Sequence, residues 1–357
     1  MSSELERRLE GLFAQGPEPE PGAAEEARHR ALRALRPVAT PHRGLRAAVL
    51  AFAGVVVLLV IAAGSLAAAG ALHVSIGAKP KPARPTPHLT LPKRANGVAA
   101  IVDGRLSVVA RGGFRSEVAA SAAALSPRAL YVAAGIGDSL VAMAPDGRRA
   151  WSRPVGGKVV AIAWAPDGFQ IAYVVHTGHR YVLHVIYGNG IHDTLIDRSV
   201  RAVRPTWRAD SLAFAYVGGG GRAIVYDLGH QSREVVAVDP PVTAVAFAPS
   251  GDALALRGTS GVSLVEQSAF RHIAAADVEA FGWLHGRLAV AVPGPGSAVI
   301  RLFAPDGASR GSFRARGIVR AITPRLVVVQ RKQDVVAGQT TLFAIPRHAT
   351  IRGLEIG

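Results

Sequence analysis

Between Val98 and the C-terminus one short pattern returns about every 40 residues. Its clearest copy is Val159–Val175, VVAIAWAPDGFQIAYVV. An apolar run ends on Trp164, Ala165-Pro166-Asp167-Gly168 forms a turn, and Gln170-Ile171-Ala172-Tyr173 starts the return. Proline presets φ, the aspartate can bond the backbone ahead of it, and glycine takes the left-handed position. The bulky residue that ends the first run marks the other copies: Leu125, Trp164, Trp207, Phe247, Trp283 and Ile322, at spacings of 39, 43, 40, 36 and 39 residues. A period near 40 made only of short strands predicts propeller blades of four strands each. Helical repeats of that length need a 3.6-residue periodicity, which is absent.

A second hairpin follows each anchor: Leu140–Arg153, Tyr181–Ile196, Ala223–Val238, Val262–Ala275, Ala298–Phe313 and Thr340–Ile356. A partial unit, Val98–Val118, precedes the first full one, with turns at Asp103-Gly104 and Gly112-Gly113. The expected fold is an all-β propeller of seven blades, the first with three strands. A six-bladed ring whose last blade is completed by the N-terminal piece is the alternative. The two ends should close on each other, because an open ring exposes strand edges.

Trp-Ala-Pro-Asp-Gly-x-x-Ile-Ala-Tyr at 164–173 resembles the TolB/WD40-like (PD40-type) propeller repeat, which runs aromatic-Ser-Pro-Asp-Gly-x-x-Ile-Ala-Phe. Ala248-Pro249-Ser250-Gly251 with Leu254-Ala255-Leu256 is a second match, and Arg208-Ala209-Asp210 a weaker one. The Trp-Asp ending of WD40 blades is absent. The resemblance runs from near residue 96 to the end and implies a propeller with a binding role. It implies no particular ligand, because the repeat serves many functions.

The remaining sequence reads as a tail (1–45), a span (46–72) and a Pro/Lys-rich linker (73–95) ahead of the propeller (96–357). Ala47–Leu72 is 26 residues without a charge, and about 20 apolar residues suffice to cross a bilayer as a helix. A cleavable signal has an apolar region of roughly 7–15 residues near a short basic start, so an uncleaved single-pass anchor is expected. Arg28, Arg30, Arg33, Arg36, Arg43 and Arg46 lie nearest before the span, and Lys79, Lys81, Arg84, Lys93 and Arg94 nearest after it, six against five. That bias places the N-terminus in the cytoplasm and the propeller outside a bacterial cytoplasmic membrane. The five prolines of Ala78–Lys93 favour an extended spacer. In the tail, Leu5, Leu9, Leu12 and Phe13 share one helical face, and Ala24–Leu35 forms a second short helix. Residues 1–36 could dock a cytoplasmic partner, a layout that resembles membrane-bound anti-sigma factors and implies a transmembrane sensor or regulator as the alternative function. Their zinc-binding His and Cys motif cannot be present in a chain without cysteine.

The chain carries a net charge of +16. Residues 1–45 balance at seven against seven, whereas residues 93–357 hold 30 Lys or Arg against 18 Asp or Glu. An excess of that size attracts anionic partners. Nucleic acid is not expected, given the extracytoplasmic placement and the 6% aromatic content available for base stacking. In a propeller the Pro-Asp-Gly turns share one face. The connections between strands two and three and between blades share the other, and these read as longer and more varied. Function resides on variable loops held by a rigid scaffold. The expected recognition face is therefore basic: Lys158, His176, His179, Arg180, Arg201, Arg204, Arg222, Arg331 and Lys332. Its partner would be a protein or an anionic envelope component.

Signals for chemistry are poor. There is no Gly-x-Ser-x-Gly elbow and no phosphate-binding Gly-x-x-x-x-Gly-Lys loop. His176, His179, His184 and His192-Asp193 are the densest histidine group, but His184 falls inside a strand and His192 beside the opposite turn. No catalytic residue, metal site or cofactor is assigned. Trp164, Trp207 and Trp283 occupy equivalent repeat positions and read as blade-packing residues. The expected function is a membrane-anchored, extracytoplasmic binding or scaffolding propeller rather than an enzyme.

Overall fold

The computed structural model describes residues 89–356 apart from 94, 112–114, 237–240, 267–268, 275–276 and 346–348. The tail, the apolar span, most of the linker and the Gly112-Gly113 turn lie outside the described residues. The described strands form seven four-stranded antiparallel sheets. Blade 1 contains β1 (Gly97–Val102), β2 (Arg105–Ala110) and β3 (Arg115–Ala119). Blade 2 is β4 (Ala123–Leu125), β5 (Val132–Ile136), β6 (Ser139–Met143) and β7 (Arg149–Pro154). Blade 3 is β8 (Lys158–Trp164), β9 (Gln170–Thr177), β10 (Arg180–Tyr187) and β11 (Thr194–Asp197). Blade 4 is β12 (Thr206–Trp207), β13 (Ala213–Val217), β14 (Ala223–Asp227) and β15 (Ser232–Val235). Blade 5 is β16 (Ala244–Phe247), β17 (Leu254–Gly258), β18 (Gly261–Glu266) and β19 (Ala269–Ala274). Blade 6 is β20 (Ala280–Leu284), β21 (Arg287–Gly294), β22 (Ser297–Phe303) and β23 (Ser309–Arg316). Blade 7 is β24 (Ile318–Ile322), β25 (Val327–Arg331), β26 (Asp334–Ala337) and β27 (Thr340–Ala344). The last strand, β28 (Ile351–Ile356), returns to blade 1 and pairs with β1, Val98 opposite Ile356 and Ala100 opposite Leu354.

Seven blades are as the repeat predicts, and the six-bladed alternative falls; the first blade has four strands and not the expected three, because β28 returns to it. One hairpin differs. Thr340–Ile356 is not a hairpin of the last blade: β27 closes blade 7, and β28 supplies the innermost strand of blade 1. The partner of β27 in the last blade is β26, a strand that the sequence reading does not contain. The expected spacer also ends early. Leu89 is 2% exposed among Val98, Val335, Leu342 and Ile345, and the Thr90 N–H donates to the Leu342 carbonyl at 2.7 Å.

The anchors show why the repeat holds its period. The Trp164 indole N–H donates to the Ala124 carbonyl at 3.1 Å, Trp207 to Ala163 at 3.0 Å, and Trp283 to Ala246 at 3.0 Å. Each acceptor stands one residue before the anchor of the preceding blade. The same preceding position also caps anchors through side chains. The Phe247 N–H donates to Thr206 Oγ1 at 3.1 Å, and the Leu125 N–H to Glu355 Oε2 at 2.6 Å. Glu355 therefore stands where Thr206 stands, and Ile356 takes a seventh anchor position. The blades close over apolar layers, as where Trp207, Phe214, Tyr216 and Tyr226 pack on Ala163, Val174 and Leu183.

The turns match the chemistry that identified them. In the copy at Ala165–Gly168 the Gly168 N–H donates to the Ala165 carbonyl at 2.9 Å, Gly168 has φ +81°, and Asp167 Oδ1 accepts the Phe169 N–H at 2.9 Å. Asp146, Asp210 and Asp306 accept the N–H two residues ahead in the same way. Gly282 answers a different demand. A Cβ there would lie 2.7 Å from the Ile322 carbonyl oxygen of the next blade, so only glycine lets the inner strands approach.

Two substitutions test this inner ring by urea unfolding of the full chain. Trp207→Phe keeps most of the buried area but leaves the Ala163 carbonyl unpaired, and should cost about 1–3 kcal/mol. Gly282→Ala should cost about 1–3 kcal/mol through overpacking, whereas Gly220→Ala, with open space around its Cβ, should stay within about 0.5 kcal/mol. Equal stabilities for Gly282→Ala and Gly220→Ala would contradict the packing described.

Candidate functional site

Antiparallel order within each blade puts connections one-to-two and three-to-four on one face of the ring, the turn face. Connections two-to-three and blade-to-blade emerge on the other. The longer connections expected of the second face occur between blades, as at 198–205, but not between strands two and three. Its two-to-three connections are mostly two-residue turns, Gly137-Asp138, Gly178-His179, Thr259-Ser260, Pro295-Gly296 and Lys332-Gln333, with 218–222 the exception. The one-to-two connections of the turn face in blades 2 to 5 are excursions of five or six residues: 126–131, 165–169, 208–212 and 248–253.

Strand order places eight of the nine expected basic-face residues at connections of the second face, in two sectors; Arg204, three residues before the Trp207 anchor, instead reaches Glu355. Lys158, His176, His179, Arg180, Arg201, Arg204 and Arg222 belong to blades 3 and 4, and Arg331 and Lys332 to blade 7. Several are already engaged. His176 stacks on Tyr181 with ring centroids 4.7 Å apart. Arg204 forms an ion pair with Glu355 of the closing strand. The Arg201 guanidinium lies against Gly221, and Arg331 Nε–H donates to the Arg316 carbonyl at 3.2 Å. Lys158, His179, Arg180, Arg222 and Lys332 remain exposed.

The turn face has the feature that the sequence reading missed. A cavity of about 1450 Å³ opens across blades 2, 3 and 4. The 126–131 excursion, Trp151, Trp164, the Pro166–Gln170 turn, Tyr187-Gly188-Asn189 and Ser211-Leu212 line it. Trp151, on the outer strand of blade 2, clasps the blade 3 turn by donating its indole N–H to the Gly188 carbonyl at 2.8 Å. Trp164 thus has two roles: its N–H ties the blades, and its ring edge faces the groove. Around the rim Leu130 is 60% exposed, Phe169 74% and Leu212 58%, with Tyr131, Tyr187 and Ile191 also exposed. Leu130, Phe169 and Leu212 each stand five residues after an anchor. In blade 5 the same position is Asp252. Three consecutive blades therefore present a large, mostly exposed apolar side chain at one repeat position. Isolated exposed apolar residues are ordinary, but a contiguous arc beside a concavity marks an interaction site.

Beneath this groove lies a polar cluster that ties blade 2 to blade 3. The Tyr173 hydroxyl donates to Asp193 Oδ1 at 2.8 Å, His184 Nδ1 lies 3.2 Å from the same oxygen, and Arg153 Nε–H donates to Asp193 Oδ2 at 3.3 Å. Burial pushes the Tyr173 hydroxyl above its usual range, and the bond to Asp193 adds to that. Burial also pushes Asp193 upward, but the hydrogen bonds from His184 and Tyr173 and the nearby Arg153 charge outweigh it, and the carboxyl ends below its usual range. Tyr216, Asp197 and Arg233 repeat the arrangement one blade on, the Tyr216 hydroxyl donating to Asp197 Oδ2 at 2.9 Å. The histidine group seen in the sequence is drawn into these contacts: His184 faces Asp193, and His192 packs on Tyr187 at 5.0 Å. Among the described residues no three His, Cys, Asp or Glu side chains converge to hold a metal ion.

No protein-family model matches the chain, and no curated protein matches it in sequence. Similar solved structures include TolB from Acinetobacter baumannii, at 13% identity over 63% of this chain and 66% of that one, with a TM-score of 0.46. The chain thus spans just under two thirds of that protein. BamB from Moraxella catarrhalis is similar at 14% identity over 71% and 81%, TM-score 0.45, and U3-55K at 11% over 62% and 77%, TM-score 0.45.

The Asp193 cluster has a pH signature. A carboxyl held low in the folded state contributes stability that is present above the unfolded value of about 3.9 and is lost as pH falls through the folded value. Asp193→Asn should therefore cost about 1–3 kcal/mol at neutral pH and flatten the stability–pH profile below about pH 4. Urea midpoints at neutral and acid pH measure both; an unchanged acid limb would contradict the assignment.

Proposed function

We propose that this chain is a membrane-anchored, extracytoplasmic binding module whose propeller takes a protein partner on the turn face of blades 2–4. The observation that carries this reading is the arc of Leu130, Phe169 and Leu212 around an aromatic groove. Exposed leucine and phenylalanine at turn tips do nothing for the fold, since each gives up burial worth roughly 1.5–3 kcal/mol. In a protein interface the same side chains become buried anchors, and aromatic residues such as Trp151 and Tyr187 are the types that dominate binding energy. The groove holds no constellation of nucleophile and base, and binding rather than catalysis is the chemistry its lining favours. The charge-free stretch 47–72 is the proposed anchor, with the propeller outside. The exposed basic residues of the second face (Lys158, Arg180, Arg222, Lys332) are proposed to draw the domain toward anionic partners or envelope polymers over long range.

A photo-crosslinking amino acid at position 169, in intact membranes, should give a discrete crosslinked protein. Leu130→Asp with Leu212→Asp should abolish that product while leaving unfolding midpoints within about 0.5 kcal/mol of the parent. Binding should weaken by about 30-fold or more, the loss expected of central interface anchors. The same probe at Ser232, on the outer strand of blade 4, should give no such product; identical products from both positions would refute the turn-face assignment.

A further inference from the structure

Blades 6 and 7 are the basic side of the ring. From Ala280 to Ala344 there are nine Lys or Arg and two Asp. Blade 6 also ends in an unusual outer strand. At eight residues β23, SRGSFRAR, is the longest outer strand, against four to six in the other blades, and nearly every residue in it is exposed. It is the last strand of its sheet, so one row of its backbone N–H and C=O groups has no strand partner among the described residues. The outer strand of blade 7, by contrast, meets the Thr90 N–H at Leu342.

Register decides where its arginines point. Arg314 lies opposite Val299, Arg316 opposite Ser297, and Arg301 opposite both Ser312 and Val290. Paired residues share a face, and Val290 packs toward blade 5 with Leu264 and Trp283. Arg301, Arg314 and Arg316 therefore face the outer wedge between blades 5 and 6. Arg271, opposite Leu264 on blade 5, enters it from the other side and rests on the Gly307 turn of blade 6. In the wedges between blades 2 and 3 and blades 3 and 4, the corresponding arginines Arg153 and Arg233 are met by Asp193 and Asp197. Among the described residues no ion pair engages Arg271, Arg301, Arg314 or Arg316. Asp306 caps its own turn by accepting the Ala308 N–H; Glu266, at the end of β18, and Asp277 and Glu279, in the connection between blades 5 and 6, are further acids beside this wedge.

We propose that β23 accepts an extended acidic segment of a partner protein as a fifth strand of blade 6. Strand addition supplies main-chain hydrogen bonds, and side chains at alternate positions fall on one face. Carboxylates at alternate positions would meet the guanidinium groups of Arg301, Arg314 and Arg316, which bind carboxylates in paired, charge-assisted hydrogen bonds. The charge on this strand also has a simpler use, since basic edges resist sheet-to-sheet association. The two uses differ in whether a matched peptide binds. This surface lies on blade 6, away from the groove of blades 2–4, and neither assignment needs the other.

The test uses the full-length protein in mild detergent at low salt and a fluorescent peptide, about eight residues of alternating glutamate and valine. Anisotropy should show saturable binding. The double variant Arg314→Glu, Arg316→Glu should weaken it by about tenfold or more, and a lysine–valine peptide should not bind. Phe169→Asp should leave it unchanged, which separates this surface from the groove. Alternate N–H groups of a strand point to opposite sides, so methylating the nitrogens of either the glutamates or the valines should abolish binding in at least one case. No binding of the unmethylated peptide would overturn the proposal. Equal, undiminished binding of both methylated peptides would overturn it as well, since that result is charge attraction without strand pairing.

Discussion

Trp164, Trp207 and Trp283 each donate an indole N–H to a carbonyl on the innermost strand of the blade before it. That bond joins groups 37 to 44 residues apart and satisfies a polar group in an otherwise apolar layer. Where the anchor is not tryptophan, a side chain of the preceding blade does related work, Thr206 toward Phe247 and Glu355 toward Leu125. The ring depends on this chain of contacts because, among the described residues, neighbouring blades share no backbone ladder. Among those residues distant parts of the chain share a sheet at the closure alone, where β28 lies beside β1. Glu355 sits at that seam. It caps Leu125 and also holds Arg204, so the closing strand is tied to blade 2 and to the segment entering blade 4.

A rigid inner ring frees the rim to vary. In the outer half of blades 2 to 4, polar clusters around Asp193 and Asp197 fasten neighbouring blades and hold Tyr173 and Tyr216 in place. Above them, Trp151 and Trp164 brace the Gly188-Asn189-Gly190 turn from two sides. The groove floor is thus built from residues with structural duties, and only the rim side chains Leu130, Phe169 and Leu212 are left without one. That division makes the rim replaceable without loss of the fold. The wedge between blades 5 and 6 inverts it: the arginines are kept and the neutralising acid is not. The two surfaces are chemically distinct, one apolar and aromatic, the other cationic with an open strand edge.

Much of the architecture was legible because the turn chemistry repeats. Asp167, Asp146 and Asp306 make the same backbone bond, and the bulky anchors, 36 to 43 residues apart, yield the period. The strand β26 was hidden because its turn, Lys332-Gln333, lacks glycine: Lys332 itself adopts φ +54°. The closing strand was mistaken for half of a hairpin because pairing across the ring leaves no local mark. The groove was harder to see. Phe169 and Leu212 stand one step outside the return strands, and alignment on the anchors puts them with Leu130 at one repeat position. The partner carbonyl of each tryptophan lies a full blade away, so sequence can suggest packing but not the bond. Most of the basic residues stand at connections of one face, yet the ion pair that draws Arg204 to Glu355 could not be read from residues 151 positions apart.

The central claim is that the working surface is the turn face of blades 2–4 and not the opposite face. The chain has no cysteine, so single cysteines report one position each. Thiol labelling rates at Leu130→Cys, Phe169→Cys and Leu212→Cys, compared with His179→Cys, Thr259→Cys and Lys332→Cys, can be measured in intact membranes and in purified protein. Slower labelling in membranes at the first three positions, with unchanged rates at the other three, is the expected result. Slowing confined to positions 179, 259 and 332 would contradict it.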